Sequence, residues 1–481
     1  MSRATPLRST PETIEAAAQV GLPAIFDAIR RRFEVPEAFP PEVLAAAERV
    51  AADPLDLPTD DLTDVPFLTI DPPGSMDLDQ AMHLERDGDG YRVRYAIAHL
   101  PSFVEPGGPI DLEARRRGQT VYAPDIRTPL HPPVFSEGRA SLLPGQITPA
   151  YVWDLRLDGN GEGVATSVRR SLIRSVDRLD YAGVQASLDA GAADERLQLL
   201  AEVGPLRLAL ERARGGAALP MPEQEIERTD EGFELRFRPQ LPVEDWNAQI
   251  SLMTGMAAAE LMIEAGVGIL RTMPPPTEEA LARVRRQAAA LGVAWPEGLG
   301  HGEFLLTLDR RDPRHLAVID AAAVLFRRAG YTAFDGQAPA ERTHSGVAAP
   351  YAHVTAPLRR LVDRFGLVVA EAVSNGREVP GWAREALPTL PEIMAASDKR
   401  AKGVQRACTD AVEAAVLAHR VGQTFEASVV DRSEKGPSAV VQILDPAVVA
   451  TAEGDARPGE HVTVRLASVD PANGRIELVI V

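Results

Sequence analysis

Apolar and polar positions along this chain follow two periods, and the period changes with position. Val65-Pro66-Phe67-Leu68-Thr69-Ile70 is a short apolar run of the kind that forms a buried strand. Residues 81–86 and 91–100 alternate on either side of Asp87-Gly88-Asp89-Gly90, a strong hairpin signal. Residues 151–157 and 164–176 repeat the pattern around Asp158-Gly159-Asn160-Gly161, and residues 226–237 make a third hairpin. Helical periodicity then takes over at 246–265, 278–291 and 313–329, with Gly266, Gly292 and Gly330 expected at the helix ends. Thr355 is expected to cap the next helix, with Pro357 in its first turn. Strands followed by helices predict an α+β domain, a mainly antiparallel sheet backed by helices, over residues 63–420.

The two ends read differently. Residues 11–29 and 40–52 carry helix-period patterns, with Thr10 as a candidate cap, and predict a small helical domain over residues 1–62 with a helix-turn-helix-like form. Its Arg30-Arg31-Arg32 run fits a solvated helix end better than a phosphate contact. Residues 425–430, 438–444, 448–450, 461–467 and 475–480 read as five short strands. That count over 421–481 fits a five-stranded OB barrel, and the pattern alone fits an SH3-like barrel as well.

Composition narrows the setting. Hydrophobic residues make up 45% of 481, enough for a sizeable core. Cys408 is the only cysteine, so no intrachain disulfide forms and a reducing compartment is expected. With no signal-like N-terminus and no apolar run of spanning length, a cytoplasmic, monomeric protein without membrane contact is expected. The net charge of −18 argues against a basic nucleic-acid-binding surface, but the local field of a cleft decides binding.

Candidate chemistry concentrates in Asp71-Pro72-Pro73-Gly74-Ser75-Met76-Asp77-Leu78-Asp79-Gln80, three carboxylates in a Pro/Gly loop at the end of a strand. Carboxylates held that close repel one another unless they are protonated or share a cation. Oxygen ligands suit magnesium or manganese, although the spacing alone fits a solvated turn equally well. The string resembles the signature of the ribonuclease II/ribonuclease R (RNB) exoribonucleases, in which an Asp, five residues, an Asp and one residue precede two consecutive Asp. Gln80 stands where the fourth acid would be. Val121-Tyr122-Ala123, Ser136-Glu137-Gly138-Arg139-Ala140-Ser141-Leu142-Leu143-Pro144-Gly145 and His353-Val354-Thr355-Ala356-Pro357-Leu358-Arg359-Arg360 are similar to further elements of that family, in the same order. The strand through Ala98-His99-Leu100 departs from its usual residues.

The resemblance implies an RNB catalytic domain at 63–420 without the usual N-terminal cold-shock domains, and an OB domain at 421–481. It implies magnesium-dependent, processive 3′-to-5′ hydrolysis of single-stranded RNA from its 3′ end to nucleoside 5′-monophosphates, with manganese as an alternative ion. Asp71, Asp77, Asp79 and Gln80 would form the metal cradle, Asp79 being the most critical to chemistry. Arg359 and Arg360 would reach the scissile phosphate, and Tyr122 would stack on the terminal bases. Without the motif, Arg359 reads as the i,i+4 partner of Asp363 and Tyr122 as core. A further family acid, somewhere in 398–410, is left unassigned. The competing expectation is an RNA-binding regulator with a decayed site, for which Gln80 is the main argument.

Overall fold

The computed structural model describes residues 21–481 apart from 218, 220–222, 230–231, 239 and 433–436. Most of the expected 11–29 helix, with its Thr10 cap, therefore lies outside the described residues.

The central strands close into a barrel. Phe67–Ile70, Gln80–Asp87, Gly90–Ala98, Ile147–Leu157 and Gly163–Leu179 follow one another around it, and Phe67–Ile70 closes the ring by pairing in parallel with Gly163–Leu179. The other ladders are antiparallel. Period-2 alternation explains the register. Tyr91, Val93, Tyr95 and Ile97 face Leu157, Leu155, Trp153 and Tyr151 as direct cross-strand pairs. That face is buried in a core shared with the helices Pro242–Ala265 and Leu361–Ser374. The opposite face changes character along its length, from Arg92 bonded to Asp154 to a patch of Ala96, Ala98, Ala150 and Val152. The carboxylate loop opens off this small-residue end.

The second barrel comprises Thr424–Arg432, Ser438–Ile443, Val448–Glu453, His461–Asp470 and Arg475–Ile480. Its closed order is first, second, third, fifth, fourth, with a parallel contact between the third and fifth strands. This is OB connectivity, which removes the SH3-like alternative.

The helices Leu22–Arg32 and Pro41–Ala52 join different cores. Leu22, Phe26 and Ile29 pack with Val404 and Cys408 of the long helix Leu390–Leu417 in the core of the second barrel. Val43, Ala46 and Ala47 pack against the alanine patch of the first barrel.

Two boundaries differ from expectation, each for a local reason. Gly330 does not end a helix: the Pro313–Ala322 helix tightens into a 3₁₀ turn at Ala323–Phe326, and Gly330 opens a strand paired with Val267–Thr272. Thr355 caps nothing, because its hydroxyl bonds Ser251 at 2.8 Å; the helix starts at Leu361 with Arg360 at its cap.

Phe26 is fully buried and meets Phe233 edge-on at 5.3 Å. Phe26→Ala should destabilise the protein by about 3–5 kcal/mol in urea denaturation. A loss below about 1 kcal/mol would mean the first helix is not part of this core.

Candidate active site

The loop between the first two strands is shaped by its own residues and clamped from a distance. Gly74 adopts φ +81°, a turn conformation that a side chain would strain. Ser141, fully buried, accepts from Leu78 N–H at 2.9 Å and donates to Met76 C=O at 2.6 Å. Leu142 N–H adds a bond to Leu78 C=O at 3.0 Å. The Ser136–Gly145 stretch thus serves as a template for the carboxylate loop.

The three acids have different surroundings. Asp79 is 5% exposed, and Oδ1 accepts from Leu358 N–H at 2.7 Å across a separation of 279 residues. Arg359 Nε stands 3.3 Å from Oδ2. Burial outweighs this help and pushes the Asp79 carboxyl up to about 8, with Arg359 and the Leu358 N–H pulling it back. Asp71 is raised to about 7 for the same first reason, desolvation, opposed by Arg359 and reinforced by Asp77. Asp71 Oδ2 is buried without any hydrogen-bond partner. Asp77 is instead taken up by Arg127, which also holds Glu137 at 2.8 Å, and receives the Tyr122 hydroxyl at 3.3 Å.

Gln80 is half-buried and turned elsewhere, its Oε1 accepting from the buried Tyr95 hydroxyl. The two arginines also part company. Arg360 makes a two-pronged bond with buried Asp363, both contacts 2.8 Å, which pushes its own pKa further up. Asp363 also accepts from Ala356 N–H at 2.7 Å. The partner of Asp363 is thus Arg360 rather than Arg359, whose side chain is 43% exposed. His353 is a core histidine, bonded to Tyr331 at 2.7 Å and packed on Tyr351.

A cleft of about 510 Å³ runs past this cluster, lined among others by Tyr122, Ile226, Arg359, Asp398 and Lys402. Tyr122 and Arg359 are held in register, because Thr120 N–H bonds Arg359 C=O at 2.9 Å and Leu361 N–H bonds Gly118 C=O at 3.0 Å. Gly118, at φ +76°, lies so close to the long helix that a Cβ would meet Ser397 at 2.5 Å. Asp398 stands 3.6 Å from Lys402 and 3.8 Å from Arg271. The sequence carried no signal of Arg127 as the partner of Asp77, since the two lie 50 residues apart; Asp363 was legible as an ion-pair partner on its helix, and Asp398 only as one acid within 398–410. Ser141 sat in a stretch already singled out, but its role there is invisible without the loop.

Among the described residues no three His, Cys, Asp or Glu side chains form a ready-made metal site. Magnesium, however, typically takes one or two carboxylates, with waters and substrate phosphate supplying the rest. Asp71, with its orphaned oxygen, and Asp79, both raised by burial beyond what their shared Arg359 offsets, fit such an ion.

A barrel with buried carboxylates beside a cationic cleft, followed by an OB barrel, defines a nucleic-acid-directed class of protein. Residues 59–371 match the RNB domain, and residues 423–481 match the RNase II-type exonuclease C-terminal S1 domain. The chain belongs to the RNB family. It is 27% identical over 441 residues to ribonuclease R of Escherichia coli, covering 83% of this chain and 52% of that protein. It is 24% identical over 456 residues to an uncharacterized ribonuclease of Synechocystis, covering 93% and 64%. The chain spans about half the length of the former and under two thirds of the latter. RNase R of Mycoplasma genitalium, solved with ribose-methylated single-stranded RNA, matches the fold with a TM-score of 0.85 at 17% identity over 96% of this chain and 78% of that one. Yeast Ssd1, a pseudonuclease, matches at 0.71 with 19% identity over 92% and 57%. Among the described residues, no helix is long and apolar enough to cross a membrane.

The raised acids set a pH dependence. Both hold protons in the folded state that they lose when unfolded, so the stability of metal-free protein falls as pH rises from about 4 through about 8. Asp79→Asn removes one contribution. Its thermal midpoint should match wild type near pH 4 and exceed it by several degrees near pH 9, while magnesium should raise the wild-type midpoint more. Identical midpoints across the range would mean that Asp79 is solvated.

Proposed function

We propose that this protein is a magnesium-dependent, processive 3′-to-5′ exoribonuclease that hydrolyses single-stranded RNA to nucleoside 5′-monophosphates, acting in the cytoplasm as a monomer. The observation that carries the reading is the pairing of Asp79 with Leu358 N–H and Arg359, beside the unpartnered oxygen of Asp71. Two buried acids against a half-exposed arginine at a cleft are suited to a phosphodiester and an ion, and to little else.

Asp71 and Asp79 would hold the ion, which when bound would supply a more acidic water and positive charge at the phosphate. Arg359 is the guanidinium free to face the scissile phosphate, where a fixed cation stabilises charge that grows in the transition state. Arg360, tied to Asp363, fixes the turn from which Arg359 projects. Arg127 and Tyr122 hold Asp77 off the centre, so we assign Asp77 to shaping the loop. The Tyr122 ring, 49% exposed, offers a stacking face to the last bases without sequence preference. The OB barrel gives the strand a second binding surface, and RNA turnover or 3′-end processing follows as the broader role.

A second reading, an RNA-binding regulator, is favoured by Gln80, whose carbonyl is occupied by Tyr95 and which brings no charge. Magnesium and a 5′-labelled oligoribonucleotide separate the two. Progressive shortening of the labelled strand to a short end product supports the enzyme; binding without cleavage supports the regulator.

Asp79→Asn should lower turnover to background while leaving RNA affinity nearly unchanged. Cleavage near the wild-type rate would remove Asp79 from the chemistry. Arg359→Ala should lower the rate at saturation by about 10²–10³; a defect confined to affinity would contradict its role.

Tyr122→Ala should lengthen the final products, because one lost stack costs about 1–3 kcal/mol, most of what holds a remnant of a few nucleotides. An unchanged product ladder on a sequencing gel would place Tyr122 outside the path of the RNA.

A further inference from the structure

The Leu22–Arg32 helix supplies no group to the chemistry above, yet a buried ion pair ties it to the hairpin that carries Tyr122. Arg30 Nη1 donates to both carboxylate oxygens of Asp125, at 2.7 and 2.9 Å, and the two side chains are only 7% and 12% exposed. Asp27 approaches the same guanidinium no closer than 3.8 Å. Asp125 lies in the turn between Val121–Tyr122 and Arg127–Thr128.

That hairpin has two residues per strand, too few to hold its own shape. Its form therefore depends on anchors. Arg127 fastens one side to Asp77 and Glu137. Arg30 fastens the turn from behind. Val121 and Ala123, which flank Tyr122, pack in the same core as Phe26 and Ile29 of the helix. Tyr122 is 49% exposed and its side chain is tethered through its hydroxyl to Asp77 at 3.3 Å, so its place is set by the hairpin backbone and that bond.

The same helix backs the other walls of the cleft. Phe26 meets Phe233, in the hairpin that contributes Ile226 to the lining. Phe33, just past the helix, lies against Gly403 of the long helix, where a Cβ would come within 2.4 Å of its ring. The long helix contributes Asp398 and Lys402.

We infer that the Arg30–Asp125 pair is a positioning device: it sets Tyr122 at the end of the cleft, so that the N-terminal helix determines how tightly the last bases of a bound RNA are held. The inference rests on the reading of the cleft as an RNA site. A largely buried pair suits this role because one nitrogen of Arg30 engages both oxygens of Asp125 away from solvent, which fixes the distance between helix and turn. Losing one partner leaves a buried charge that pulls the hairpin toward water.

The test is a double-mutant cycle on binding, measured by fluorescence anisotropy with a short labelled oligoribonucleotide and EDTA. Asp125→Asn should weaken binding by about tenfold, the scale of one base–aromatic stack, in the otherwise wild-type protein. In a Tyr122→Ala background the same change should have almost no effect, because the pair acts through that ring. Should Asp125→Asn fail to fold, Arg30→Lys keeps the charge but ends it one bond short of the Nη1 position that reaches Asp125, and should show the same non-additivity. Equal losses in both backgrounds, or no loss in a folded variant, would overturn the positioning role alone. Wild-type protein that binds RNA but never cleaves it would overturn the proposed activity and leave this inference standing. Wild-type protein that binds no RNA would overturn both.

Discussion

One buried carboxylate organises this molecule. Burial holds the Asp79 carboxyl well above the usual range, and the groups that pull it back, Arg359 and Leu358 N–H, come from the far end of the domain. Everything needed to bring that segment to the first barrel follows from it. The loop must present Asp79 at the right depth, which Ser141 and Gly74 secure. The Ala356–Leu361 turn must be rigid, which Asp363 secures by binding Ala356 N–H and Arg360 together. Tyr122 is then aligned with Arg359 through the backbone bonds of Gly118 and Thr120.

The site is also an electrostatic imbalance kept in reserve. Asp71 and Asp79 share Arg359, while Asp77 is neutralised by Arg127. A half-exposed cation and two under-compensated acids leave room for both a divalent ion and a phosphate, each making the other easier to bind. This local arrangement reconciles a chain of net charge −18 with the RNA ligand proposed for it. Arg359 and Lys402 line the cleft, whereas most of the acidic excess lies elsewhere. Gln80 makes the balance less negative than a fourth acid would.

Local pattern revealed what local physics decides. Hairpins with Asp-Gly turns, the glycine-ended helices at Gly266 and Gly292, and the five strands of the OB barrel follow from period and turn chemistry, and all are present. The carboxylate loop was legible because its residues are contiguous. Closure of the central sheet into a barrel was not, since it depends on the parallel pairing of Phe67–Ile70 with a strand about a hundred residues away. That Asp363 pairs with Arg360 was hidden for the same reason. Two adjacent arginines look alike in sequence, and only the turn geometry decides which one Asp363 captures. Thr355 shows the limit of capping rules: a tertiary hydroxyl partner, Ser251, outcompetes the helix end.

The central claim is that Asp71 and Asp79 are an unfinished site for a divalent ion, poised beside Arg359. Manganese binding followed by electron paramagnetic resonance addresses it without reference to catalysis. The account predicts a bound ion that magnesium displaces and that is lost in Asp71→Asn, with Asp77→Asn retaining it. Binding that survives Asp71→Asn but disappears in Asp77→Asn would contradict the account and move the site to the other side of the loop.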